Sequence, residues 1–241
     1  MLYFLVPVFN EEGNLGVLIE SITSAVPEYS KFYVFSDDGS TDNSILYIRE
    51  HFKTDNYIIL GDGNNHGPGI AFNTGFEWIL NHSKDNTDKI ITIEADNTSD
   101  IGILSKMLTI SGLNYDIILA SVYAQGGGFD QTSFIRKFVS SVAAIIMRYF
   151  FDIKVQTISS FYRVYSVDII RKIKQKYNHV IEEKGFISVV EILIKAIRLK
   201  ASIIEVPMLL YSKKRIGKSK MKVIRTSLDY IKFLFKSKAK F

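Results

Sequence analysis

The chain contains no cysteine and only four prolines in its 241 residues. Without cysteine it has no disulfide framework and no thiolate zinc site, and a reducing compartment is compatible with its composition. It also lacks low-complexity tracts and internal repeats, which argues against a fibrous or disordered protein. Because 47% of the residues are hydrophobic, we expect a globular protein with a sizeable core.

Long uncharged apolar runs are missing as well. The longest candidate, Val142 to Phe151, contains Arg148 and is shorter than the roughly 20 residues that cross a bilayer. The first ten residues, MLYFLVPVFN, have neither a basic n-region nor a small-residue cleavage site, so we interpret them as a strand rather than a signal peptide. We therefore expect no membrane-spanning helix.

Acidic residues are scarce only near the C-terminus. Residues 213–241 carry eleven Lys and Arg side chains against one acid, Asp229, so this segment has a net charge of +10 and residues 1–212 have −5. A basic character confined to one segment indicates a local anionic partner, such as a membrane surface or a diphosphate. It argues against binding of nucleic acid.

Apolar, β-forming runs alternate with amphipathic segments of helical length through the first half of the chain. The predicted strands are Leu2–Val8, Lys31–Phe35, Tyr57–Leu60, Ile90–Ile93 and Asp116–Ala120. The predicted helices are Glu12–Val26, Asp42–Phe52, Gly69–Asn81 and Ile101–Ser111. This alternation predicts an α/β fold with a mainly parallel central sheet flanked by helices, and ligand sites where the strands end.

Beyond Ala120 the pattern is less regular. We interpret Gly126–Gly128 as a flexible link, and we predict strands and helices at Phe134–Phe151, Ser160–Ser166, Phe186–Leu199, Ile203–Val206 and Met221–Phe235. The first of these is a helix with an apolar stripe that is more typical of a core face than of a membrane face: Ile135, Phe138, Val139, Val142, Ile146 and Tyr149.

Polar loops follow each of the first four strands, so the topology gathers them at one edge of the sheet. In the second loop, Asp37 and Asp38 fit a turn followed by a Ser40 or Thr41 helix cap, or a carboxylate that accepts N–H bonds from a nucleobase. In the first loop, Glu11 suits the positive end of a helix dipole.

The third loop contains Gly67 and Gly69 on either side of Pro68, and its glycines could let the backbone approach a phosphate. His66 fits a polar surface residue better than a metal ligand. No G-x-G-x-x-G follows the first strand and no Walker lysine is present, so neither a dinucleotide fold nor a P-loop is supported.

The fourth loop begins with Glu94 and Asp96, two residues apart on an extended chain and therefore on the same side of it. Two such carboxylates repel unless a cation or a proton lies between them, and Mg²⁺ or Mn²⁺ commonly binds one or two carboxylates plus substrate phosphates. The alternative is that Asp96 or Asn97 caps a helix that starts near Asp100.

Five motifs in order resemble glycosyltransferase family 2, whose members are inverting enzymes with the GT-A fold. They are PVFNEE, DDGSTDNS, NNHGPGIAFNTGF, EAD, and the pair SSFYRVYS and EVPMLLYSKKRIGKSKM. The resemblance covers most of the chain and is greatest to the polyprenyl-phosphate sugar transferases. It implies a catalytic domain over residues 1–212, with a nucleotide-binding half at about 1–122 and an acceptor half at about 123–212, and a basic loop and amphipathic helix at 213–241.

The resemblance also implies roles for individual residues. Nucleotide-sugar binding falls to Pro7, Glu11, Asp37, Asp38, Gly67, Gly69, Arg163 and Ser219. Glu94 and Asp96 would hold Mg²⁺ or Mn²⁺, with Asp96, Arg136 and Lys220 as catalytic residues near the diphosphate or the acceptor phosphate. The donor would be a GDP- or UDP-linked sugar.

The chain departs from the family pattern at several positions. Glu94 replaces the first aspartate of the metal motif, Pro68 stands where a basic residue is common, and Val122 replaces an arginine. Thr157 lies where an aspartate is frequent, and Phe161 replaces a glycine. These departures leave open a third interpretation, a nucleotide-sugar binding module whose catalysis has decayed.

Two acceptors fit the resemblance and differ in their need for a base. A polyprenyl phosphate is already ionised at neutral pH, whereas a sugar hydroxyl in a polysaccharide, lipopolysaccharide or glycolipid must lose a proton. Glu191 is the candidate for this base, and the alternative is that it is a carboxylate on a solvent-facing helix surface. We expect polyprenyl phosphate to be the acceptor.

The last predicted helix is basic and amphipathic, with an apolar stripe formed by Ile224, Leu228, Ile231 and Phe235. Such a helix can lie in a membrane interface, or it can dock on the domain with the stripe buried. The first alternative predicts a peripheral protein at the cytoplasmic, inner face of the cell membrane.

Overall fold

The computed structural model describes residues 1–53, 56–131, 134–217 and 223–237. Its strands are β1 (Leu2–Val8), β2 (Lys31–Asp37), β3 (Tyr57–Leu60), β4 (Lys89–Thr92), β5 (Ile117–Ser121), β6 (Gly128–Asp130), β7 (Arg163–Ser166), β8 (Ile203–Pro207) and β9 (Leu209–Tyr211). Its α-helices are α1 (Glu12–Ser24), α2 (Ser44–His51), α3 (Pro68–His82), α4 (Leu104–Ser111), α5 (Phe134–Phe151), α6 (Val167–Tyr177), α7 (Ser188–Arg198) and α8 (Val223–Ser237).

A seven-stranded sheet with the order β3-β2-β1-β4-β7-β5-β8 forms the centre of the protein. All of its strand pairs are parallel except those of β7, which runs antiparallel to both β4 and β5. Strands from both predicted halves of the catalytic domain join this one sheet. The prediction of an α/β fold with a mainly parallel, helix-flanked sheet is confirmed.

Helices cover both faces of the sheet, and β1 shows why. Its alternate residues enter opposite cores: Tyr3 and Leu5 pack in one cluster, and Phe4 and Val6 pack in the other. The first core is completed mainly by α3, α6 and α7, and the second by α1, α2 and α4. A strand buried on both faces has a continuous apolar sequence, which is what residues 2–8 display.

One α-helix and two strands of the described residues were not predicted. Helix α6 follows β7 directly: the Ser166 side chain accepts a hydrogen bond from the Ile169 N–H at its start, and Asn178 ends it in the left-handed conformation, with φ of 65°. Strands β6 and β9 form a small parallel pair. Gly128 begins β6, so the interpretation of residues 126–128 as only a flexible link is wrong.

The apolar stripe of α5 faces outward, contrary to our interpretation of it as a core face. Among its described members, Val142 and Ile146 are exposed, and Tyr149 has 86% of its surface accessible. Ala144, Met147 and Phe151 are buried instead. The side chains of Ile135, Phe138 and Val139 lie outside the described residues.

Helix α8 also presents its predicted stripe to the outside. Leu228 and Ile231 are half exposed, and Phe235 is 82% exposed. The helix docks on the domain with its other face, through Tyr230 and Phe233, so the alternative in which the stripe is buried is wrong for these residues. Ile224 lies outside the described side chains. Within the described ranges, no helix is both long enough and apolar enough to cross a membrane.

Candidate active site

The polar loops predicted to meet do so at one edge of the sheet. Val8 at the end of β1 lies beside Asp37 at the end of β2, and β4 runs parallel to β1 on its other side. The chain leaves β1 toward β2 on one side, whereas β4 lies on the other, so the sheet has a switch point between β1 and β4, where folds of this kind form a crevice. In open α/β sheets, ligands bind at such a switch point, outside the carboxyl ends of the strands.

Asp38 is buried and holds the loop that precedes α3. Its Oδ1 accepts hydrogen bonds from the backbone N–H groups of His66 and Gly67, at 2.7 and 2.9 Å. Its Oδ2 accepts one from the Asn65 side chain at 3.1 Å. Burial raises the pKa of the Asp38 carboxyl, and the backbone N–H donors of His66 and Gly67 oppose this effect by stabilising the charged form. Asp38 therefore shapes the third loop.

Asp37 is only half buried and is better placed to meet a ligand. Its carboxylate accepts the Ser40 N–H at 3.1 Å, which forms a tight turn at the sheet edge. Helix α2 begins at Ser44, so the predicted Ser40 or Thr41 helix cap is wrong. Pro7 lies next to Ser36 in the parallel register, one residue before the end of β1. Asp37 and Pro7 thus lie on adjacent strands at the same edge.

Glu11 is buried and contacts Asn14, whose side-chain amide donates to Glu11 Oε2 at 2.6 Å. The Glu11 N–H donates to the Ser44 hydroxyl at 2.8 Å, which ties the start of α1 to the start of α2. In this arrangement Glu11 orients Asn14 at the N-terminus of α1.

Gly67 and Gly69 are required by a close backbone approach. A Cβ atom at Gly69 would lie 1.9 Å from the Glu183 carbonyl oxygen, and one at Gly67 would lie 2.5 Å from the Lys184 carbonyl oxygen. Gly67 also has a φ of 97°, which disfavours any side chain. The Gly69 N–H donates to the Lys184 carbonyl at 2.9 Å. The third loop is thus docked on residues 183–184.

The carboxylates of Glu94 and Asp96 follow β4 at the crevice. Asp96 Oδ1 accepts from the Thr98 N–H at 3.1 Å and from its hydroxyl at 2.7 Å, and Glu94 Oε2 accepts from the Ser99 hydroxyl at 3.0 Å. The following 3-10 turn, Ile101–Ile103, is capped by Asp100 rather than by Asp96 or Asn97. The helix-cap interpretation of Asp96 and Asn97 is therefore wrong.

Arg215 is a member of this site that the sequence did not reveal. Its Nε donates to Asp96 Oδ2 at 2.8 Å, and its Nη2 donates to the same oxygen. The two residues are 119 positions apart, so the only signal in the sequence was a basic stretch, KKRIGK, with several equivalent cations. The contact depends on how the segment after β9 folds back.

Electrostatics at this pair favour a cation. Burial, and to a lesser extent the negative charge of Asp96, raise the pKa of the Glu94 carboxyl to about 7, while the Ser99 hydrogen bond and Arg215 oppose the rise. Among the described residues, no group of three or more His, Cys, Asp or Glu side chains could hold a metal. Two carboxylates held in fixed orientations nevertheless fit the way Mg²⁺ binds in sites that handle phosphates, where one or two carboxylates and the substrate phosphates supply its ligands. Arg215 already places a positive charge beside one of these oxygens, Asp96 Oδ2.

Glu191 lies inside the protein, only 1% exposed, so the alternative of a solvent-facing carboxylate is wrong. Lys195 Nζ lies 2.7 Å from Glu191 Oε1, and Lys195 is itself inaccessible to solvent. Glu191 Oε2 also accepts the N–H groups of Glu182 and Glu183, at 3.0 and 2.8 Å. The carboxylate therefore positions the segment on which Gly67 and Gly69 dock.

Arg163 lies at the active-site edge, because β7 runs antiparallel and begins where its neighbours end. Its guanidinium is fully enclosed and donates to the carbonyls of Ile158 and Val189, at 2.8 and 2.9 Å. These two carbonyls and the burial hold the guanidinium inside the protein, and its role in nucleotide-sugar binding stays a prediction. The side chains of Arg136, Ser219 and Lys220 lie outside the described residues.

The departures from the family pattern are accommodated locally. Pro68 occupies the first position of α3, where its fixed φ suits a helix start. The Thr157 hydroxyl forms a 2.6 Å hydrogen bond with the Ser121 hydroxyl at the end of β5. The Phe161 ring stacks on Phe72 with centroids 4.9 Å apart.

Curated proteins with known activities align with most of this chain. The chain is 25% identical to polyprenol monophosphomannose synthase from Mycolicibacterium smegmatis over 90% of its own length and 79% of that protein. It is 26% identical to undecaprenyl-phosphate mannosyltransferase from Micrococcus luteus, over 90% of this chain and 86% of that protein.

The fold has solved counterparts. Glucosyl-3-phosphoglycerate synthase from Mycobacterium tuberculosis, crystallised with Mn²⁺, UDP and glucosyl-3-phosphoglycerate, superposes with a TM-score of 0.61 at 14% identity. The match covers 98% of this chain and 76% of that one. The sequence profile described as Glycosyl transferase family 2 matches residues 3–174. This chain therefore belongs to glycosyl transferase family 2.

Proposed function

We propose that this protein transfers a sugar from a nucleotide-diphosphate sugar to polyprenyl phosphate at a membrane surface, with inversion at the anomeric carbon. The observation that carries the choice of acceptor is the enclosure of Glu191. A sugar hydroxyl needs a base to remove its proton, and the candidate base is paired with Lys195 and buried. A polyprenyl phosphate has an ionised oxygen and needs no such base. The two mannosyltransferases with which the chain aligns are named for polyprenyl acceptors.

The donor would bind at the crevice between β1 and β4. Asp37 would accept hydrogen bonds from the nucleobase, while Asp38 keeps the Gly67 loop in shape beside it. Glu94 and Asp96 would hold Mg²⁺ or Mn²⁺ against the diphosphate, and Thr98 and Ser99 orient these carboxylates. A divalent cation there would stabilise the negative charge that develops on the leaving diphosphate.

The surface formed by α5 and α8 supports a peripheral membrane location. The two helices pack on each other, with the Phe151 and Phe233 rings 6.0 Å apart. Their outward side carries exposed apolar residues: Ile145, Tyr149, Phe150, Leu228, Ile231 and Phe235. It lies beside two exposed lysines of α8, Lys232 and Lys236, of which Lys236 is paired with Glu183 at 2.6 Å. Apolar side chains flanked by lysines suit an interface with anionic lipid, where each basic residue contributes about 1 kcal/mol. Location at the inner face of the cell membrane stays a prediction.

The test is transfer of label into lipid. The protein would be incubated with Mn²⁺ or Mg²⁺, a panel of radiolabelled GDP- and UDP-sugars and a short polyprenyl phosphate, and label would be measured in the organic phase. We expect organic-soluble label with one donor, none with the corresponding polyprenol, and none with Asp96→Asn. Label found only on a sugar-hydroxyl acceptor would contradict the proposed acceptor. The absence of transfer to every acceptor would favour the binding-module interpretation.

A further inference from the structure

The contact between Arg215 and Asp96 uses one oxygen of the carboxylate, and the other oxygen is held by Thr98. Asp96 Oδ1 is taken by the Thr98 N–H and hydroxyl, which fix the orientation of the group. The other oxygen, Oδ2, is the one that Arg215 contacts through two nitrogens. An Asp96 held in this orientation offers the same oxygen to Arg215 and to a metal ion.

The loop that carries Arg215 is fastened at the next residue. The Ile216 N–H donates to Asn14 Oδ1 at 2.8 Å, and Asn14 Nδ2 donates to the Ile216 carbonyl at 3.1 Å. The Asn14 side chain is buried, and Glu11 accepts a further bond from its amide. Gly13 lets Ile216 approach, since a Cβ there would lie 3.2 Å from Ile216 Cγ2. Two reciprocal hydrogen bonds thus hold Arg215 in front of Asp96.

Charge explains why a cation is favoured beside Asp96. Glu94 and Asp96 face the same crevice, and with both ionised they repel each other unless a cation is near. The Arg215 guanidinium supplies this cation, with its side chain about a quarter exposed, at 23%. A partly solvated ion pair such as Arg215–Asp96 contributes about 1 kcal/mol or less, so it can form and can also be replaced by another cation.

We propose that Arg215 is a further residue of the transfer site: it neutralises Asp96 while no donor is bound and yields Asp96 Oδ2 to the metal that arrives with the nucleotide sugar. The inference rests on the proposed function, because it takes Glu94 and Asp96 to be the metal ligands. Arg215 then competes with free metal, and the site binds a cation weakly until the diphosphate supplies further oxygen ligands. Only the Arg215 side chain has to turn away in this exchange, because Asn14 holds the backbone at Ile216.

Mn²⁺ binding to the donor-free protein tests this competition without any turnover. Free Mn²⁺ would be titrated by electron paramagnetic resonance against the wild type, Arg215→Gln and Arg215→Lys. The expected result is that Arg215→Gln binds Mn²⁺ about fivefold more tightly, as expected for the loss of one partly exposed ion pair. Arg215→Lys keeps the cation and should return close to the wild-type affinity.

Lys214→Gln is the matched control. It removes the same charge from the neighbouring residue, whose ammonium lies over the Tyr211 ring at 4.2 Å. Its Mn²⁺ affinity should stay within about twofold of the wild type if the effect requires contact with Asp96 rather than net charge. The double variant Arg215→Gln/Asp96→Asn should lose the gain.

The outcomes separate the inference from the proposed function. An Arg215→Gln protein that binds Mn²⁺ no more tightly than the wild type overturns the inference, even if the wild type transfers sugar. An equal gain in Lys214→Gln also overturns it, because net charge then accounts for the effect. If neither the wild type nor Arg215→Gln binds Mn²⁺, no competition exists in the donor-free protein and the inference is overturned, while Mn²⁺-dependent transfer of label tests the proposed function separately.

Discussion

Replacing Glu191 by glutamine should destabilise the protein rather than silence a general base. The substitution leaves the Lys195 ammonium fully buried without its partner at 2.7 Å, since the remaining carboxylate, on Glu182, is 3.5 Å away and partly exposed. Breaking a buried ion pair by removing one partner costs about 3–5 kcal/mol. For a domain of this size, each kcal/mol lowers Tm by about 2–4 °C, so we expect a decrease of about 6–20 °C.

The assay is thermal unfolding of Glu191→Gln, Glu182→Gln and the double variant Glu191→Gln/Lys195→Met. Glu182→Gln removes a charge beside the same lysine at a partly exposed position, so it should cost at most about 1 kcal/mol. The double variant removes the unpaired ammonium and should regain part of the lost Tm. Donor KM, measured well below the lowest Tm, should rise in Glu191→Gln because the segment that supports Gly67 and Gly69 is loosened.

A different result would refute this reasoning. If Glu191→Gln has the Tm and the donor KM of the wild type, yet loses all transfer to a sugar hydroxyl, then Glu191 acts as a base despite its burial. Loss of activity alone does not distinguish the two acceptors, because both reactions need the donor loop that Glu191 supports.

Three further predictions concern the sheet edge. Asp38→Asn should lower Tm and weaken nucleoside diphosphate binding, because asparagine cannot accept all of the hydrogen bonds that Asp38 receives, and one unpaired buried donor costs about 1–3 kcal/mol. Asp37→Asn, at a half-buried position, should weaken nucleotide binding without changing Tm. A lower Tm in Asp37→Asn and an unchanged Tm in Asp38→Asn would contradict these roles. Gly69→Ala should cost about 1–3 kcal/mol in chemical denaturation, because its Cβ meets the Glu183 carbonyl at 1.9 Å, and an unchanged midpoint would show that the loop is not docked there. The pKa of the Glu94 carboxyl is raised from 4.5 to about 7, so its contribution to stability is fully present below pH 4.5 and is lost as the pH rises through 7. Tm measured without metal should therefore decline more steeply between pH 5 and 8 in the wild type than in Glu94→Gln. Parallel Tm curves for the two proteins would contradict the raised pKa.

Local patterns in the sequence were sufficient for most of the central sheet. Residues 2–8 and 117–121 are short apolar runs bounded by polar loops, and the structure has β1 and β5 there. Helix α6 was missed although Ser166 and the apolar residues after it form a capped amphipathic pattern, because the segment was interpreted only as the end of a strand. Strands β6 and β9 have three residues each, too few for a periodicity to be recognised.

The exposure of the helix stripes required the tertiary structure. An amphipathic pattern states that one face of a helix differs from the other, but not which face meets the domain. In α5 the residues that pack inward, Met147 and Phe151, are also apolar, so the sequence offered two candidate core faces. Neighbouring helices decide between them, and α8 covers the face that contains Phe151.

The sequence by itself determined the class of fold and the edge at which the site lies. Alternating strands and helices produce parallel strands, and their carboxyl ends bring the loops of Asp37, Gly67 and Asp96 together whatever the detailed packing. Only the tertiary structure decided which partner each charged side chain has. Arg215 contacts Asp96 although the two residues are 119 positions apart, and Lys195 forms a buried ion pair with Glu191. Charge pairing and burial depend on which atoms are near in space and not on which residues are neighbours in the chain.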